Sequence, residues 1–73
     1  MSKTIYSKEY RVVLVRLKNA RIKSGLTQKD VAKIIGKPQS YISKCESGER
    51  RLDVTELNRL AKIYKKPLTF FVK

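Results

Sequence analysis

LTQKDVAKIIGKPQSYISKCESGE, residues 26–49, holds two short helical patterns separated by a turn. Thr27 is a strong helix N-cap, and Asp30 stands three residues on, where a carboxylate can reach back to the N–H of the cap. Val31, Ala32, Ile34 and Ile35 supply the buried face of the first pattern. Gly36 stops it after about two turns, because glycine readily takes the left-handed conformation that closes a helix. The second pattern starts near Pro38, whose φ is already helical and whose missing N–H is one that a first turn leaves unpaired. Ile42 and Cys45 are its apolar side, and it runs to Gly48. Two short helices joined by a tight turn at Gly36 to Pro38 are the first expectation.

Upstream, Ser7 is an N-cap with Glu9 in the first turn, favourable to the helix dipole. Tyr10, Val13, Leu14, Leu17 and Ala20 follow at the spacing of one helix face, and Gly25 ends the piece. Val12 and Val15 fall off that stripe and either extend the core or stand exposed for another chain. Downstream, Asp53 caps a further helix with Glu56 at its third position, and Leu57, Leu60, Ala61 and Tyr64 form its inner face. Pro67 opens a last turn, Leu68 to Val72, whose apolar residues are expected to fold back on the body. Strand alternation, internal repeats and linkers are absent from the sequence. The expected organisation is one all-α domain over residues 7–73 behind a flexible N-terminal arm, residues 1–6.

Composition narrows the function. Seventy-three residues suffice for one domain. The single cysteine, Cys45, excludes an internal disulfide, and without histidine neither a zinc site nor a histidine-based catalytic group is expected. No carboxylate cluster suited to metal-assisted phosphoryl chemistry is visible, so neither an enzyme nor a cofactor is expected. The apolar runs are far shorter than the roughly 20 residues that span a bilayer, and the N-terminus does not resemble a signal peptide. A cytoplasmic protein with no membrane contact is the expectation. Eighteen Lys and Arg against six Asp and Glu give a net charge of +12. That exceeds the magnitude of about 2–8 that solubility asks of a small domain, and it points to a polyanion. Charge alone does not separate DNA from RNA or an anionic surface.

The second short helix makes the separation. Its outer side shows Gln39, Ser40, Ser43 and Lys44. Glutamine pairs with adenine, lysine donates to guanine, and serine adapts to either, which is the chemistry of base reading in the major groove. A short polar face by itself is ordinarily just a solvated one; the preceding two-turn helix, the tight turn and the positive charge set this one apart. Lys37, Arg50 and Arg51 join Lys44 around that surface as candidates for phosphates. Lys62, Lys65, Lys66 and Lys73 lie farther off and are read as a solvated, steering charge.

Leu17 to Pro67 resembles the Cro/repressor-type helix-turn-helix family, also called Xre, through the ordered pieces LKNARIKSGLTQKDVA and QSYISKCESGERRLD. The resemblance implies a compact five-helix domain and sequence-specific binding of double-stranded DNA as a transcriptional regulator, most naturally a repressor. It implies that Gln28 braces a phosphate and the first reading residue, that Tyr41 reaches a phosphate at the groove edge, and that Arg21 and Glu46 form a buried structural pair. Packing on the preceding helix is the rival role for Tyr41. Pro38 departs from the usual Ser or Thr before the reading helix, and Cys45 is smaller than the usual residue and reads as core. A homodimer on a two-fold operator is expected, with Leu68, Phe70, Phe71 and Val72 as its contact, although two of these must also close the core. An antitoxin, a restriction–modification controller and a protein-interaction module without DNA are the alternatives.

Overall fold

Ser7 starts the first helix by accepting a hydrogen bond from the Tyr10 N–H at 3.2 Å. In the computed structural model, which describes residues 7–72, five α-helices follow: α1 Lys8–Lys23, α2 Gln28–Ile35, α3 Gln39–Ser47, α4 Val54–Ile63 and α5 Thr69–Val72. The expected arm, residues 1–6, lies outside the described residues. Thr27 and Asp30 form a reciprocal capping box on α2, and Asp53 and Glu56 form another on α4. These donors would otherwise be left unpaired at each helix start. Gly25, Gly36 and Gly48 close α1, α2 and α3 at φ of 77°, 73° and 88°.

All five helices reach one core. Leu17 and Ala20 from α1 meet Val31 and Ala32 from α2, Ile42 from α3, Leu57, Leu60 and Ala61 from α4, and Phe71 from α5. Tyr64, just past α4, joins them. The expected inner faces of α3 and α4 are the observed ones, and Cys45 is fully buried as a small core residue.

Two expectations about the core need correction. Ile34 is 58% exposed rather than part of the inner face of α2. Each helical residue turns by about 100°, which carries Ile34 roughly a third of a turn from the stripe of Val31, Ala32 and Ile35. In α5 only Phe71 is buried; Phe70 and Val72 remain exposed, because a single turn cannot aim neighbouring residues at one core. Val12 and Val15 do not extend the core either, being 40% and 59% exposed.

Candidate nucleic-acid interface

Helix α3 divides into sectors. Gln39, Ser43, Ser47, Ser40 and Lys44 fall within about 140° of arc at about 100° per residue, and all five are exposed. Ile42 and Cys45 occupy the opposite, buried side. Glu46 lies on one flank between the two sectors and Tyr41 on the other. The four residues expected to read bases therefore share one face, whose amide, hydroxyl and ammonium groups offer both donors and acceptors. Ser47 belongs to that face and was not among the sequence candidates, although its position four residues after Ser43 announces it. Its hydroxyl donates to the Lys44 carbonyl at 3.2 Å and accepts from the Glu49 N–H at 3.3 Å, so it also finishes the helix.

The Glu46 flank is pinned from inside. Arg21 donates from Nε to Oε2 of Glu46 at 2.6 Å and from Nη2 to Oε1 at 3.2 Å. The two side chains are only 11% and 5% exposed. Arg21 also donates to the Leu26 carbonyl at 3.0 Å, and Gln28 Nε2 donates to Glu46 Oε1 at 3.0 Å. One carboxylate thus receives three N–H groups, the compensation a buried ion pair requires. The Gln28 side-chain oxygen in turn stands 3.5 Å from Gln39 Nε2. A path of polar contacts runs from the buried pair, through Gln28, to the first residue of α3. It joins α1, the α1–α2 turn, α2 and α3.

The Tyr41 flank is held from α4. Oε2 of Glu56 accepts from the Tyr41 hydroxyl at 2.6 Å and from Arg50 Nη2 at 2.5 Å, while Oε1 accepts from the Asp53 N–H at 3.1 Å. The hydrogen bond from Tyr41, and then that from Arg50, hold the Glu56 carboxyl down at about 2. The same contact raises the Arg50 guanidinium, and burial followed by the Glu56 hydrogen bond raises the Tyr41 phenol. Arg50 and Lys37 both approach the Tyr41 ring, at 4.8 and 5.5 Å from its centre.

Of the candidate phosphate contacts, Lys37 is exposed in the turn before α3. Arg51 is exposed 5.5 Å over the Tyr10 ring. Gln28, Tyr41 and Arg50 have their polar ends engaged within the protein, so a phosphate meeting them competes with Glu46, Gln39 or Glu56. Pro38 caps α3 with no side-chain hydrogen bond, at a φ of −69°. Burial pushes the Cys45 thiol up, away from the reactive thiolate. Among the described residues no group of three or more His, Cys, Asp or Glu side chains is placed to hold a metal ion. No helix there is long and apolar enough to cross a membrane.

A family model described as helix-turn-helix matches residues 17–71, well over half of the chain. No curated protein and no solved structure matches the chain closely enough to count as similar.

Proposed function

The chain belongs to the Cro/repressor-type, Xre-like helix-turn-helix family of DNA-binding regulators, and from that premise we propose that it is a sequence-specific transcriptional repressor acting in the cytoplasm. The observation that supports the reading best is the shared, exposed face of α3, with Gln39, Ser40, Ser43 and Lys44 on it and both flanks held by ion pairs. In this reading α3 lies in the major groove. Gln39, near the helix N-terminus, takes an adenine, and Lys44, a turn farther on, takes the O6 and N7 of a guanine. Ser40 and Ser43 adapt to the bases between.

Phosphates set the register. Lys37, Arg50 and Arg51 line the groove, while Gln28 and Tyr41 reach the backbone from the two flanks. One short helix reads few bases, so two copies on a two-fold operator supply useful specificity. Repression then follows from occupying a promoter. No cofactor takes part.

A mobility-shift titration against duplex DNA at several salt concentrations tests the reading. The logarithm of affinity should fall with the logarithm of salt by about 0.9 for each phosphate neutralised. Gln28→Ala, which removes a neutral contact, should weaken binding and leave that slope unchanged. A flat salt dependence contradicts the proposal.

A further inference from the structure

The outer side of α1 and the exposed residues of α5 make a surface separate from the exposed face of α3, and Phe70 and Val72 on it are two of the residues expected from the sequence to join two copies of the chain. Val12, Val15, Phe70 and Val72 are 40%, 59%, 36% and 51% exposed. Between the two helices lies an open groove of about 530 Å³, floored by Val13 and Phe71. It adjoins a second depression along α1, and Val12 and Arg16 line both. A continuous apolar surface rimmed by polar groups is the mark of an interaction site.

The rim is almost entirely of one sign. Lys8 and Arg11 stand along α1, and Arg16 reaches across to donate to the Phe70 carbonyl at 3.3 Å. Outside the lining itself, the Lys66 ammonium sits 4.9 Å from the Phe70 ring. Glu9 is the acid that lines the groove. Asp30, Asp53 and Glu56 are engaged in helix caps and Glu46 in the buried pair.

We propose that this groove docks a partner protein through an amphipathic helix, whose apolar stripe fills the space between α1 and α5 and whose flanks carry Asp and Glu. A helix laid in a groove anchors through apolar residues about one turn apart, and Val12 and Arg16, which line both depressions, make the apolar surface continuous along α1. Acidic flanks meet Lys8, Arg11 and Arg16, and complementary charge speeds and orients such an encounter. A second copy of this chain, the occupant expected from the sequence, fits less well, because a two-fold contact places each cationic rim against the other with one Glu9 per side. In this proposal the DNA, not this groove, brings the two copies on an operator together. An anionic bilayer also fits less well, because the apolar centre is concave, whereas a lipid surface takes up a convex apolar face.

The test is a display selection of randomised helical peptides against the intact chain. Selected peptides should carry apolar residues at i, i+3, i+4 and i+7 flanked by Asp and Glu. Their affinity should fall about tenfold or more for a chain with Val12→Ser and Val15→Ser, given the apolar contact removed, and fall again for Lys8→Glu with Arg11→Glu. Lys44→Ala should leave it unchanged. Circular dichroism and DNA binding should be retained by the valine variants, since both positions are exposed; a failure of DNA binding in the wild type would count against the DNA reading alone. The proposal is overturned if no peptide is enriched, or if the enriched acidic peptides ignore the valines or depend on Lys44. It is equally overturned if the valine changes abolish self-association in sedimentation, or binding to phosphatidylserine vesicles.

Discussion

Two glutamates hold the two flanks of α3, and each is bound to an arginine, yet they do different work. The Arg21–Glu46 pair is 11% and 5% exposed, with Arg21 also donating to the Leu26 carbonyl and Gln28 also donating to the Glu46 carboxylate. The Arg50–Glu56 pair is 44% and 20% exposed and lies at the rim of the same helix. Water screens the second pair and is excluded from the first. The buried pair therefore couples four segments of the fold. The outer pair aims two groups, Tyr41 and Arg50, beside the exposed face of α3. The difference separates stability from positioning within one short helix.

The largest expected effect breaks the buried pair on one side only. Arg21→Met leaves Glu46 charged and unpaired in the interior and should cost about 3–5 kcal/mol in chemical denaturation. Arg21→Met combined with Glu46→Leu should cost less than either change alone, because no charge is then stranded. Small, additive losses would show that burial does not set this pair apart.

Next comes Glu56. Glu56→Ala removes the returning half of the α4 capping box along with the bonds to Tyr41 and Arg50, and should cost about 1 kcal/mol or more, still less than the Arg21→Met loss. Its carboxyl is held down at about 2 from an ordinary value of 4.5, first by Tyr41 and then by Arg50. The stabilisation is therefore complete above about pH 4.5 and is lost as the pH falls toward 2. Glu56→Gln keeps an acceptor for the Asp53 N–H but removes the charge, so it should flatten stability across that window by lowering it at neutral pH to the level the wild type has near pH 2. An unchanged acid limb would mean that Glu56 is not the group titrating there.

Within the two pairs, the smallest effect on stability belongs to Arg50→Ala. It should shift the denaturation midpoint less than Glu56→Ala does, since the cap survives and the lost partner is exposed. If Arg50→Ala proved as damaging as Arg21→Met, the contrast between the two flanks would collapse.

The same contrast explains what the sequence revealed. The helices and their caps were legible because Ser7, Thr27, Asp53 and the glycines act on neighbours a few residues away. The inner faces of α3 and α4 followed from spacing alone. The Arg21–Glu46 pair came only through resemblance, since nothing local joins positions 25 residues apart. The outer pair was missed for a sharper reason. Glu56 was fully accounted for as a cap, and only the structure shows that one carboxylate oxygen caps while the other binds Tyr41 and Arg50. Ile34, Phe70 and Val72 were misplaced because hydrophobicity tells what prefers burial, whereas short helices have little face to bury it on.

The central claim is that α3 reads DNA sequence from the face these two flanks hold in place, and a randomised-site selection run with the wild type and Gln39→Ala tests it directly. Gln39 is exposed, so the change should alter stability by less than about 0.5 kcal/mol. It should relax preference at one symmetric pair of operator positions, by about 1–3 kcal/mol of discrimination, and leave non-specific affinity nearly intact. Identical motifs from both proteins would remove Gln39 from the reading face. Binding by the wild type with no motif at all would contradict sequence-specific recognition.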